Sequence, residues 1–228
     1  QQVVDGELAR GCRYVKVYER LTPALYDAVV AAARARNVRV VGHVTRQITL
    51  EHALASQHSI EHLSGYDFFR AAELAEKTRA AGVWNCPTLA IIRSSYSASL
   101  PPESVEEEMR GRHAMVKALR DAGAPILAGT DSGGGLFDVE GAISAELLEL
   151  EQAGLTRFEA LAAATRDAAT FLEMQEIGTL RKGSRADLLL LEANPLESLT
   201  ALRQITGVTV GGSWQTASGP RRRSINRR

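Results

Sequence analysis

Four side chains stand where chemistry could be done. Lys16 lies inside the apolar, β-branched run Tyr14-Val15-Lys16-Val17-Tyr18, and His43 closes Val41-Gly42-His43. His62 closes Ser59-Ile60-Glu61-His62, and Asp131 follows Gly129-Thr130 and precedes Ser132-Gly133-Gly134-Gly135. Taken singly, each has a plain structural reading: an edge-strand lysine that snorkels to water, two histidines satisfied in a core, an aspartate capping a turn. Taken together, two imidazoles and a carboxylate at the ends of three strands are the donor set of a divalent cation. Lysine is a poor ligand as an ammonium, because a pKa of about 10.4 leaves no lone pair at neutral pH. Carbamylated by carbon dioxide, it becomes a bidentate carboxylate able to bridge two metals.

Such a set works only if the fold delivers its members to one place. The chain alternates strand and helix in a way that does so. Tyr14 to Tyr18 reads as a strand, followed by a helix with Thr22 as N-cap and Pro23 in its first turn. Residues 38–44 make a second strand, and Thr49 opens a short helix. Ser59 to Leu63 is a third strand, with a helix over residues 68–81 after it; residues 83–89 are a fourth, Pro87 marking its end. Residues 94–102 read as a Ser/Pro-rich loop and 103–122 as a helix. Pro125 to Thr130 is the fifth strand, and residues 139–152 and 156–166 are further helices, the last with the capping box Thr156/Glu159. Five strands each followed by a helix predict an α/β fold with a parallel sheet, whose functional groups gather at the carboxyl ends of the strands. From Ala186 the texture changes to short strands without long helices, which predicts a small β element. Residues 3–11 read as a helix end closed by glycine, and the basic run from Pro220 as a solvated tail.

Composition narrows the function classes. With 228 residues, 45% of them hydrophobic and 24% charged, the chain is that of a globular protein rather than a fibrous, disordered or disulfide-stapled one. Its 27 basic and 27 acidic side chains cancel, which argues against a dedicated nucleic-acid binder. No apolar run reaches the roughly 20 residues of a membrane span. Two cysteines, Cys12 and Cys86, point to a reducing compartment, the cytoplasm. Gly133-Gly134-Gly135 lacks the Lys-Ser/Thr of a phosphate-cradling loop. His52, His58 and His113 read as structural or surface residues.

The four strand-end blocks resemble strands four, five, six and eight of the amidohydrolase superfamily, in its imidazolonepropionase-like and Xaa-Pro dipeptidase-like branch. The segment Gly178-Thr179-Leu180-Arg181-Lys182-Gly183-Ser184-Arg185-Ala186-Asp187-Leu188 is similar to the stretch that returns that family's chain to its small β-sandwich. The resemblance runs over residues 5–212. It implies a partial (β/α)8 TIM barrel of about five βα units over residues 1–177, a β-sandwich portion over 178–212 and a flexible tail over 213–228. It further implies Lys16 as a carbamylated bridging ligand, His43 and His62 as ligands of one ion, and Asp131 as ligand of a second and as the catalytic proton carrier. One or two divalent ions, zinc first among candidates, would activate water against the C–N bond of a small amide or dipeptide. Tyr18, Arg20 and Arg46 lie just beyond the ligand strands, where they could meet a substrate carboxylate or pair with acidic neighbours.

The family's His-x-His pair is absent: the five histidines are His43, His52, His58, His62 and His113. Strands one to three of the barrel are absent as well. The sequence therefore reads as the carboxyl-terminal part of a longer enzyme. The alternative is an inactive half-barrel that acts through self-association, as a homo-oligomer, or by pairing with a separate amino-terminal chain. Loops over residues 94–102 and 133–139 are expected to set substrate choice.

Overall fold

The computed structural model describes residues 1–133 and 141–216. Two parallel strand pairs form its centre. Strand β1 (Tyr14–Val17) pairs with β2 (Arg39–Gly42), Lys16 lying beside Val41. Strand β3 (Ser59–Glu61) pairs with β4 (Trp84–Cys86), Glu61 beside Cys86. The two pairs meet at a seam. The His58 amide donates to the Val40 carbonyl at 2.7 Å, but the Val40 amide turns to Nδ1 of His58 at 3.2 Å instead of continuing the ladder.

The helices follow the sequence signals that punctuate the strands. Helix α1 (Gln2–Ala9) precedes β1, and α2 (Pro23–Arg34) starts where the Thr22 hydroxyl accepts from the Leu25 amide. Helix α3 (Leu50–Leu54) is capped by Thr49 in the same way. Helix α4 (Ala71–Ala81) follows a 3₁₀ turn at Phe68–Arg70. Helix α6 (Pro102–Ala122) supplies Met109, Met115, Val116 and Leu119 to the main core, where they join Leu74 and Ala75 of α4 and Ile60 of β3. A second cluster of Val17, Tyr26, Val30, Ala33 and Val40 seats α2 on β1 and β2.

Several expectations are corrected. Residues 94–97 are not loop: α5 runs over Leu89–Ser97, because Arg93 is tied to Glu149 (2.5 Å) and Glu106 (2.5 Å) and the Ala98 amide still reaches the Ser94 carbonyl. Tertiary ion pairing there overrides weak local propensity. The fifth strand shrinks to a bridge between Asn85 and Ile126, since the Ala128 amide leaves the sheet for the Ala163 carbonyl. The third strand ends at Glu61, before His62 and Leu63, both of which have positive φ. Helix α7 is Ala142–Gln152, and residues 139–140 of the expected helix lie outside the described residues. The expected 156–166 helix is two, α8 (Arg157–Ala163) and α9 (Arg166–Phe171), because the backbone of Thr165 departs from helical angles.

The small β element is a three-stranded antiparallel sheet of β5 (Leu188–Leu191), β6 (Ile205–Val210) and β7 (Ser213–Thr216). Strand β7 corrects the reading of residues 213–216 as tail. Gly211 and Gly212, both with positive φ, turn the chain back so that Gly207 pairs with Thr216. The rest of the expected tail, residues 217–228, lies outside the described residues.

Candidate active site

The carboxyl ends of the strands bring the predicted residues together. Gly42 decides the first step: at φ 124°, a side chain there would overlap the Val17 carbonyl oxygen. Its absence lets the chain pass close enough for the His43 amide to donate to that oxygen at 3.1 Å. His43 then lies between two rings, Tyr18 with centroids 4.3 Å apart and His62 with centroids 4.7 Å apart, edge to face. Nε2 of His43 is buried and has no hydrogen-bond partner among the described residues. Lys16 is exposed on β1 and its charge reaches both imidazoles.

His62 is held on every side but one. Its amide donates to the Cys86 carbonyl at 2.9 Å, and its carbonyl accepts from Arg112 at 3.0 Å. Arg112 reaches in from α6, packs over Phe68 and Tyr96, and bonds the Tyr96 hydroxyl at 3.0 Å. Nδ1 of His62 meets the Thr88 hydroxyl at 2.6 Å, and Nε2 faces Asp131 Oδ2 at 3.7 Å. Gly129 permits the approach of the Asp131 segment, because a side chain there would overlap the Cys86 sulfur. Of the six non-glycine residues with positive φ among the described residues, four are His62, Leu63, Thr88 and Asp131. Strain of this kind costs about 1–3 kcal/mol per residue and persists where the surroundings enforce it.

Electrostatics suit metal ligation. Burial pushes the His62 ring down to about 4, helped by the charges of His43, Lys16 and Arg112 and opposed by Asp131. Burial, then Lys16, also lowers His43. Both rings are therefore neutral near pH 7, with a lone pair free. Glu61 is pushed up by burial although Ser59 and Cys86 donate to it, and Cys86 is pushed up by burial and by the neighbouring carboxyls of Glu61 and Glu146. The donor chemistry and the orphaned Nε2 of His43 fit a divalent cation. Among the described residues, however, no three His, Cys, Asp or Glu side chains are placed as a closed metal shell.

The rim residues divide. Tyr18 packs on His43 with more than half its surface open. Arg46 is committed to Glu19 through Nε at 3.0 Å and Nη2 at 2.8 Å. The Arg46 hydrogen bond holds Glu19 below the usual carboxylate range, and the charge of Arg20, exposed in the turn after β1, adds to this. His52 pairs with Asp27 at 2.8 Å. His113 is not a surface residue: it packs under α7 and bonds Glu149 at 2.8 Å, because Glu149 faces inward from that helix. Gly134 and Gly135, and most of the 133–139 loop, lie outside the described residues. Sequence reasoning missed Thr88, Arg112 and Glu146. The available signals were a Pro-Thr at a strand end and the polar residues Ser144, Glu146 and Glu149 on the buried face of α7.

The sequence profile of the amidohydrolase family matches residues 16–215. The chain is 28% identical over 233 aligned residues to the ochratoxinase of Aspergillus niger, covering 92% of this chain and 47% of that protein. The crystal structure of A. niger ochratoxinase superposes with a TM-score of 0.77 at 26% identity over 96% of this chain and 54% of the other. A putative prolidase from Bifidobacterium longum gives a TM-score of 0.77 at 26% identity, covering 97% and 60% of the two chains. Imidazolonepropionase of Rhodococcus jostii (strain RHA1) is 32% identical over 104 residues, 46% of this chain and 25% of that protein. The chain thus spans about half the length of the ochratoxinase it matches.

Proposed function

We propose a function from one established premise: the chain belongs to the amidohydrolase family, hydrolases that act on amide and peptide bonds. From that premise it is a metal-dependent hydrolase of the C–N bond of a small substrate, such as a dipeptide, an N-acyl amino acid or a cyclic amide. The observation that carries this reading is the meeting of His43, His62 and Asp131 at the strand ends, with forced backbones at the latter two. Coverage of about half of its relatives supports the chain as the carboxyl-terminal portion of a longer enzyme. In that portion, β1 to β4 and the Ile126 stretch are five consecutive units of an eight-stranded barrel, and the sheet of β5 to β7 is part of a small sandwich. The unpaired Cys12 and Cys86 support a reducing compartment, the cytoplasm. Among the described residues no helix is long and apolar enough to cross a membrane.

His43 and His62 would hold the cation through their neutral nitrogens, with a carbamylated Lys16 as bridging ligand and Asp131 for a second ion; zinc is the leading candidate. When bound, such a cation supplies Lewis-acid polarisation of a carbonyl and makes water acidic enough to attack near pH 7. Asp131, half open to solvent, takes the proton from the attacking water and delivers it to the leaving nitrogen. Tyr18 and Arg20 at the rim offer a hydroxyl and a guanidinium to a substrate carboxylate, whereas Arg46 would first have to leave Glu19.

A panel of dipeptides and N-acyl amino acids, assayed with zinc supplied, tests the reading. Asp131→Asn and His62→Ala should each lower turnover by about 10²-fold or more; wild-type turnover in either variant sinks it. The exposed Leu188, Leu189, Leu190 and Trp214 favour a second reading, an inactive chain that associates with itself or with a separate amino-terminal chain. Elemental analysis finding no metal, with dimers in solution, would select that one.

A further inference from the structure

Helix α5 begins with an exchange of caps. Thr88 occupies the N-cap position at φ 51° and ψ 45°, yet its hydroxyl makes no bond to the helix amides. It is turned instead to Nδ1 of His62, 2.6 Å away. The missing cap comes from α7. Glu146 Oε2 accepts the Ala90 amide at 2.8 Å, and the Leu89 and Thr88 amides face the same carboxyl. Glu146 has no exposed surface, and its second oxygen, Oε1, has no partner among the described residues. A fully buried carboxyl with an idle oxygen is costly and calls for a reason. Capping α5 from outside releases the one hydroxyl at that turn that can reach His62.

We propose that Glu146 and Thr88 are a positioning pair for His62. Glu146 clamps the first turn of α5, which holds the Thr88 hydroxyl against Nδ1. The ring then carries its proton on Nδ1, donates it to Thr88 Oγ1, and turns the Nε2 lone pair toward Asp131. Imidazoles that bind a metal through one nitrogen are generally oriented in this way through the other. The inference rests on the reading above in one respect, that Nε2 of His62 is the working atom. It adds that α7, which contributes no group to the site itself, sets which nitrogen faces it.

The test is ring nitrogen NMR of the ¹⁵N-labelled, metal-free chain near neutral pH, with His62 assigned by its loss in His62→Asn. Wild type and Thr88→Ser should show His62 protonated at Nδ1, whereas Thr88→Val, equal in shape, should move most of the population to Nε2–H. Glu146→Leu should lower the Nδ1–H share and Glu146→Gln should retain it. If the leucine variant does not fold, exchange of the Ala90 amide in Glu146→Gln decides: slow as in wild type supports the clamp, fast refutes it. Zinc titration should show Thr88→Val about 10–100-fold weaker than wild type, with Thr88→Ser recovering most of the loss. An unchanged tautomer in Thr88→Val, or an Nε2–H ring in the wild type, overturns the proposal. Neither readout uses turnover, so a chain that hydrolyses nothing but shows the tautomer shift supports the positioning pair while sinking the hydrolase.

Discussion

Replacing Gly42 by alanine is the sharpest probe of how the site is built. The added methyl would overlap the Val17 carbonyl, a backbone atom with little room to yield, and φ 124° is a region that side-chain-bearing residues avoid. Forcing a non-glycine residue into such a conformation costs about 1–3 kcal/mol. Relief of the overlap pushes β1 and β2 apart at their ends and breaks the His43–Val17 hydrogen bond, worth about 0.5–1.5 kcal/mol net. The expected loss is therefore about 2–4 kcal/mol from these two effects together. Urea unfolding measures it directly as a fall in the midpoint at unchanged slope. Gly82→Ala is the control. Gly82 ends α4 at φ 66° with nothing within 4 Å of the added carbon, so only the left-handed conformation is penalised, by about 1–2 kcal/mol. Equal losses in the two variants would refute the claim that the close pass at Val17 positions His43.

Tyr66→Phe removes a hydroxyl that bonds Thr78 Oγ1 and Asn85 Oδ1, each at 2.8 Å in the buried core. It should cost about 1–3 kcal/mol by urea unfolding, and a loss below the error of the fit would contradict that network. A pH series on Glu146→Gln tests the buried carboxyl. Burial pushes Glu146 up from the ordinary value of 4.5 to about 7, with Glu149 of the same helix adding to the rise and the Ala90, Leu89 and Thr88 amides opposing it; the Cys86 thiol faces it from β4. Because the folded value is the higher one, its contribution is fully present below pH 4.5 and is lost as the pH rises through 7. Wild-type stability should therefore fall relative to Glu146→Gln across that window and run parallel above it. Parallel curves throughout would show that the carboxyl does not titrate there.

The residue types pointed to a candidate site more clearly than to the elements that hold it. Lys16, His43, His62 and Asp131 stood out only as a set, since each alone has a plain structural reading, and the structure brings His43 to His62 and His62 to Asp131. The helices were legible where a cap declared them, as at Thr22, Thr49 and Thr156. What escaped was set by contacts far apart in sequence. Residues 94–97 are helical through Arg93, Glu106 and Glu149, and the Pro125–Thr130 run is denied a full strand by a bond to Ala163. Thr88 and Glu146 are separated by more than fifty positions and meet only across α5 and α7. Local pattern says nothing about such pairs. Strand β7 was hidden because it is four residues long and exposed throughout, with Trp214 its one apolar side chain, and resembles a tail until the turn at Gly211 and Gly212 gives it a partner.

The seam at His58 has a mechanical consequence. One strand pair carries Lys16 and ends at His43, and the other ends at His62; across the seam the His58 amide and ring both bond Val40, the Gln57 side-chain amide donates to the His43 carbonyl at 3.3 Å, and the Val44 amide donates to the Ser64 hydroxyl at 2.9 Å. A continuous ladder would fix the gap between His43 and His62 rigidly. Here three of the four bonds run through the side chains of Gln57, His58 and Ser64, so side chains set much of the spacing between the leaves. A substitution at one of these three positions should then change the distance between His43 and His62 while leaving both side chains in place.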